Sequence, residues 1–123
     1  QQGVSIGVSE RSAYDLWLSD NFKSAKIVRA PSIQASHALF WDNKVDVLAS
    51  LKPKLIEEID NREGVRLIEK PFTAVKQSIG LPKGSQNSVA YINQVIRSSI
   101  QEGWLLDRLN YHGMASRLGI PLY

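Results

Sequence analysis

Short apolar segments alternate with segments of helical periodicity between residues 4 and 68. The apolar segments lie at 4–8, 25–29, 45–51 and 65–68, and turn residues bound them, as is typical of strands. Parallel strands need a crossover between them, so this alternation with short connections favours a parallel sheet covered by helices. The predicted fold class is α/β, a three-layer sandwich with a mainly parallel sheet and helices on both faces.

Composition excludes several classes of protein. The 123 residues suffice for one domain with a core, and 43% hydrophobic and 22% charged residues are typical of globular proteins. The net charge of +3 is spread along the chain without a block of like charges, so nucleic-acid binding is not predicted. The absence of cysteine excludes disulfides and cysteine-based zinc sites. No apolar run approaches the roughly 18 residues of a membrane span.

The first strand leads through a short polar turn into a helix. Ser12 is a good N-cap, and Asp15 stands where a capping box has its acidic residue. The helix start carries unpaired N–H groups, which favour an anion such as the carboxylate of a small ligand. The alternative is an ordinary capped turn that binds nothing. An apolar stripe along this helix comprises Tyr14, Trp17, Leu18 and Phe22.

The next two helices offer no catalytic constellation. Ser32 is predicted to cap a helix to about Asp42, in which His37 packs or lies at the surface, since no partner stands at metal-ligand spacing. Pro53 suits the first turn of a helix in which Glu57 and Glu58 form a solvated face. No nucleophile elbow, phosphate loop or metal cluster is present. The sequence therefore offers no catalytic constellation, and neither a cofactor nor a metal is predicted.

The alternation of short apolar segments with helical segments ends at Pro71. Residues 72–81 form an extended run of mixed polarity, and a long helix is predicted from Ser88. Gly103 is expected to interrupt this helix before a second helical piece that stops at His112.

Three segments, in this order, resemble one protein family. They read I-G-V-S-E-R-S-A-Y-D-L at 6–16, N-K-V-D-V-L-A-S-L at 43–51, and F-T-A-V-K-Q-S-I-G-L-P-K-G at 72–84 before a helix that ends in G-W-L-L-D-R-L. The chain resembles the extracellular solute-binding proteins of ABC transporters, in the family that binds polar amino acids. The matching parts are the start of the second lobe, a strand entry, and the return strand with the final helix.

The resemblance implies a periplasmic-binding-protein-like lobe without enzymatic activity. A small polar or carboxylated solute, amino-acid-like, would bind in a cleft at the carboxyl ends of the strands. The implied location is periplasmic or extracytoplasmic, and the implied partner is a membrane permease. The implied organisation is a ligand-binding lobe at 1–70, a return strand and C-terminal helices at 71–113 that pack on the lobe or are swapped with a partner chain, and a tail at 114–123.

Site residues follow from the resemblance by position. The turn that presents hydroxyl and N–H groups to the ligand carboxylate corresponds here to Ser9, Arg11, Ser12, Ala13 and Tyr14, with Arg11 in place of a common glycine. Two further candidates, Thr73 and Gln77, lie on the return segment, where packing or surface roles are equally open. Leu51 stands where the family usually has an aspartate that pairs with the ligand ammonium. Leucine cannot do so, which implies a ligand without an α-amino group, a different partner for it, or loss of amino-acid binding.

The first lobe of the family has no counterpart in these residues, so the C-terminal elements would lose their usual packing partners. We expect an exposed apolar surface there and a homodimer formed through those elements. The alternative function is a free-standing, truncated binding-protein-like module with an interaction or structural role and no transport ligand. An enzymatic role, as in the few relatives that act as dehydratases, is disfavoured because no acid–base pair is found.

Overall fold

A computed structural model describes residues 3–60 and 62–120. The chain divides into two compact units, one that ends at Val75 and one that begins at Lys76. The first unit contains, in chain order, β1 (Ser5–Ser9), α1 (Ala13–Asn21), β2 (Lys26–Ala30), α2 (Ile33–Trp41), β3 (Val47–Leu48) and α3 (Lys52–Ile59). The second contains α4 (Gln86–Gln101) and α5 (Trp104–Tyr111).

The sheet is open and entirely parallel, with the strand order β2-β1-β3. Ser5 to Ser9 of β1 lie opposite Lys26 to Ala30 of β2, while Ile6 lies opposite Val47 of β3. The α/β prediction and the parallel pairing of the first three strands are therefore confirmed. Because all strands run the same way, their carboxyl ends meet at one edge of the sheet.

The two faces of β1 are covered by different helices. Ile6 and Val8 point to the face where Tyr14 and Leu18 of α1 complete a buried cluster with Ala49. Gly7 points the other way, since successive residues of a strand alternate between faces. A Cβ on Gly7 would lie 3.0 Å from Cγ2 of Val45 and 3.7 Å from the carbonyl oxygen of Ser36 in α2. Glycine therefore lets α2 approach the sheet closely.

Two predicted strands do not form. Residues 65–68 and 72–81 have no strand structure, and β3 is limited to two residues of the predicted 45–51. Val65 and Leu67 are only half-buried, while Ile68 is 70% exposed. Joining a sheet stabilises an apolar segment when pairing also buries one of its faces. No face of residues 65–68 is fully buried here.

The second unit is helical, with the break that the sequence predicts. Gly103 has a φ of +79° and separates α4 from α5, and His112 ends α5. A residue with a side chain is strained in this left-handed region, so glycine suits the break. The helix begins at Gln86, slightly before the predicted cap at Ser88. Within residues 3–60 and 62–120, no helix has the length and hydropathy needed to cross a bilayer.

We expect Gly7→Val to lower the free energy of unfolding by about 1–3 kcal/mol, because the new methyl groups would overpack against Val45 and the backbone of α2. Urea denaturation followed by circular dichroism measures the change. Gly80→Val is the matched control, since a Cβ at Gly80 meets no atom within 4 Å. Equal stability of the two variants would contradict the close approach of α2.

Candidate functional site

The carboxyl edge of the sheet offers a position for a ligand between β1 and β3. From β1 the chain runs to β2 on one side and then crosses to β3 on the other side. The connections after β1 and β3 therefore diverge, and ligands of open α/β sheets bind where connections diverge in this way. We call this place the edge crevice, formed by residues 9–14 and 49–51.

The loop after β1 is held in one conformation by its own side chains. The Ser12 hydroxyl accepts the N–H of Asp15 at 3.1 Å and donates to the carbonyl oxygen of Ser9 at 2.7 Å, which confirms the predicted N-cap. Arg11 has a φ of +59°, which is uncommon for a residue with a side chain. Its N–H donates to Oδ2 of Asp15 at 3.0 Å. The Asp15 carboxylate thus accepts a hydrogen bond from the N–H of the residue before the cap. In a capping box it would accept from the N–H of the cap residue itself.

Asp15 is buried and paired with Arg29 of the neighbouring strand. Both carboxylate oxygens accept from Nε of Arg29, at 3.0 and 3.1 Å, and Nη2 of Arg29 donates to the Ser19 hydroxyl at 2.6 Å. Burial raises the pKa of Asp15, but the hydrogen bonds from Arg29 and the Arg11 N–H outweigh it and hold that pKa below 3.8. A negative charge of the chain itself therefore occupies part of the α1 N-terminus. The first-turn N–H groups of Ala13 and Tyr14, which have no intrahelical partner, remain for a ligand.

Tyr14 and Leu51 reach one apolar cluster from the two sides of the edge crevice. Tyr14 is 5% exposed, and its buried hydroxyl has no hydrogen-bond partner among the described residues. Leu51 precedes α3, packs against the cluster that contains Tyr14, and provides no side-chain cap. The structure thus brings together the predicted site residues that follow β1 and β3. Arg11 and Ala13 are exposed at this edge.

The two site residues predicted on the return segment belong to different units of the chain. Thr73 is half-buried in the first unit, next to Phe72, whose ring lies 5.0 Å from that of Trp17. Gln77 is exposed and belongs to the second unit. Neither residue lies in a strand, and their role in binding stays a prediction.

Sequence reasoning missed a buried network between α2 and α3. His37 is 5% exposed; its Nδ1 lies 2.6 Å from Oε1 of Glu58, and its Nε2 lies 2.8 Å from the Ser50 hydroxyl. Trp41 donates its indole N–H to Oε2 of Glu58 at 2.7 Å. Glu57 is exposed as predicted, whereas Glu58 is only partly exposed and hydrogen-bonds to His37 and Trp41, which the prediction of a solvated face missed.

The network keeps Glu58 ionised. Burial raises the pKa of Glu58, but hydrogen bonds from Trp41 and His37 lower it below its usual 4.5. Arg62 adds a favourable charge and stacks 4.0 Å from the centre of the Trp41 ring. The available sequence signal is the spacing of His37 and Trp41, four residues apart on one helix face. His37 packs in the interior as predicted, and no metal-binding group is found in residues 3–60 and 62–120.

Comparison with known proteins adds no identification, since no protein-family model, curated protein or solved structure matches the chain. The family resemblance of the three motifs stays a hypothesis.

Asp15→Asn is expected to lower the free energy of unfolding by about 1–3 kcal/mol at neutral pH, because it weakens the charged hydrogen bonds to Arg29. Folding lowers the pKa of Asp15 below 3.8, so its stabilisation is present above pH 3.8 and disappears as the pH falls through the lower folded-state pKa. Wild type and variant should therefore converge in acid.

Thermal unfolding followed from neutral to strongly acid pH measures this convergence. Asp20→Asn is the control, because Asp20 is exposed on the same helix. A difference between wild type and Asp15→Asn that stayed constant with pH would refute the assigned ion pair.

Proposed function

We propose that the chain is the solute-binding lobe of an ABC-type transport system and binds a small polar or carboxylated, amino-acid-like solute in the edge crevice. The observation that carries the proposal is the parallel pairing of β1 with β3, which brings the loop of Ser9 to Tyr14 and the residue Leu51 to one edge of the sheet. The proposal includes a three-layer, periplasmic-binding-protein-like lobe, an extracytoplasmic location and a membrane permease as partner.

The chemistry of the edge crevice favours a carboxylate over an ammonium. The N–H groups of Ala13 and Tyr14 open α1, and the exposed cation of Arg11 lies directly before them. On the other side, Leu51 offers only an apolar surface. A carboxylated solute without an α-amino group fits this set of groups best, since an ammonium would find no acidic partner on Leu51.

The unpaired hydroxyl of Tyr14 is a second feature that supports binding. A buried hydroxyl without a partner costs about 1–3 kcal/mol. A solute oxygen that reached it would recover this free energy. Ser9 and Ser12 add hydroxyl oxygens to the same loop, although that of Ser12 already bridges Asp15 and Ser9.

Titration of the ¹⁵N-labelled chain with a panel of small carboxylic acids and amino acids tests the proposal. We expect at least one carboxylate to shift the amide resonances of residues 9–14 and 51 at millimolar concentration. Leu51→Glu should weaken this binding by on the order of 10-fold or more, because a second negative charge would face the carboxylate.

Ile68→Glu is the control, since Ile68 is 70% exposed on the same unit and away from the sheet. It should leave the titration unchanged. Absence of shifts with every compound, or shifts confined to other residues, would rule out the edge crevice as a solute site.

A second candidate, a self-associating module with an interaction or structural role, is favoured by one observation in the second unit. Neither α4 nor α5 contains a buried residue. Several large apolar side chains on these helices are 43–57% exposed, namely Val89, Val95, Trp104 and Leu106. Soluble proteins usually cover apolar surface of this kind, and we propose that a second copy of the chain covers it.

Sedimentation velocity over a range of micromolar concentrations is expected to detect a dimer, and Val95→Asp to shift the equilibrium toward monomer because it places a charge in the apolar contact. Gln94→Asp adds the same charge at the neighbouring exposed position of α4 and should leave the dimer intact. A monomer at every concentration would exclude self-association.

A further inference from the structure

Ser50, His37 and Glu58 form a continuous chain of hydrogen bonds apart from the edge-crevice donors. The Ser50 hydroxyl lies 2.8 Å from Nε2 of His37, and Nδ1 of the same ring lies 2.6 Å from Oε1 of Glu58. The second oxygen of Glu58 accepts the indole N–H of Trp41 at 2.7 Å. Nε2 of His37 therefore faces a serine hydroxyl and Nδ1 faces a carboxylate. This is the arrangement in a catalytic triad, where the histidine is the base and the carboxylate orients it.

We propose that Ser50 is a nucleophile for acyl transfer from small esters, with His37 as its general base and Glu58 and Trp41 as positioning residues. Ser50 belongs to the 49–51 side of the edge crevice, but the activity uses none of the residues 9–14, so loss of solute binding and loss of a Ser50 adduct are separate outcomes. A triad is recognised by its geometry and by the roles of its residues, whatever their order in the sequence. Here the order is histidine, serine, glutamate.

The protonation states follow from the partners of the imidazole. Glu58 stays ionised because the hydrogen bonds from Trp41 and His37 outweigh its burial and lower its pKa. An ionised carboxylate can only accept, so Nδ1 of His37 carries the proton. When the imidazole is neutral, Nε2 is the acceptor and the Ser50 hydroxyl donates to it. The hydroxyl oxygen is thereby placed to lose its proton when it attacks.

Ser50 stands between a strand and a helix. It lies after β3 and two residues before α3, and it is partly exposed. The α3 N-terminus has no side-chain cap, so first-turn N–H groups such as that of Lys52 are available to an oxyanion. Among the described non-glycine residues, only Arg11 and Asn43 have positive φ, so Ser50 lacks the strained backbone of a nucleophile elbow.

Space for a small acyl group exists beside the base. A cleft of about 300 Å³, here the α2–α3 cleft, is lined by His37, Glu58, Ile33, Gln34 and Lys54, so it borders the base and the carboxylate while Ser50 lies on the other side of the imidazole contact, outside this lining. The His37 ring thus borders the cleft while both of its nitrogens are hydrogen-bonded. A small ester fits this volume.

The reaction balances without a further reagent. The Ser50 oxygen forms a bond to the ester carbonyl carbon while His37 takes the hydroxyl proton. The bond between that carbon and the leaving oxygen then breaks, and His37 returns the proton to the leaving alcohol. Water, activated by the same base, cleaves the acyl-serine to give a carboxylic acid and free Ser50.

Reaction of the full chain with a fluorophosphonate probe, followed by intact mass and peptide mapping, tests the proposal. The probe bonds to a serine oxygen through phosphorus and releases fluoride, and we expect one adduct, on Ser50. Hydrolysis of p-nitrophenyl acetate is measured in parallel. Both should be lost in Ser50→Ala and should fall on the order of 100-fold or more in His37→Gln.

Controls separate the nucleophile from a structural role. Ser99→Ala should react as the wild type, since the Ser99 hydroxyl only donates to a carbonyl of its own helix. Circular dichroism establishes that each variant is folded, and mapping of the wild-type adduct needs no variant.

A pH profile tests the positioning role of Glu58. Labelling should fall in acid, because a protonated imidazole cannot accept the serine proton. Three charged groups face or border this site, namely Glu58, Lys54 and Arg62. Glu58→Gln should move the profile and slow labelling, an effect that loss of packing alone would not produce. Labelling of other serines only, or unchanged labelling in His37→Gln, would overturn the proposal.

Discussion

The pairing of β1 between two parallel neighbours is the constraint on which the rest of the first unit depends. Val8 is fully buried in this strand, and Gly7 leaves the room in which α2 approaches the sheet. Parallel pairing requires each connection to return across the sheet, so every strand is followed by a helix that starts at the same edge. The edge crevice and the position of Ser50 both result from that single arrangement.

Two carboxylates, one buried (Asp15) and one partly exposed (Glu58), hold this edge in place. Asp15 joins α1 to β2 through Arg29, and Glu58 joins α3 to α2 through His37 and Trp41. A carboxylate removed from water without partners would be costly, and here the hydrogen bonds from several donors outweigh the cost of burial. The Asp15 network fixes the loop before α1, which belongs to the proposed solute site. The Glu58 network fixes His37 and, through it, the Ser50 hydroxyl.

The second unit differs because it lacks a comparable interior. All the buried hydrophobic residues found in the described chain precede residue 50, while the side chains of α4 and α5 remain half-buried or exposed. Helices of this length owe most of their stability in proteins to packing of an apolar face. The self-associating candidate function addresses this apolar surface, whereas the solute-binding proposal concerns only the first unit.

Local features could be derived from the sequence, because the interactions that create them span only a few residues. The N-caps at Ser12 and Ser32 involve the N–H three residues on, and the break at Gly103 needs only its own backbone freedom. The α/β alternation likewise predicts the parallel sheet. Only the tertiary structure decided that residues 65–68 stay outside that sheet and that Glu58 meets His37, which stands 21 residues earlier. Such pairings depend on which faces become buried together, and neither periodicity nor spacing within one element specifies that.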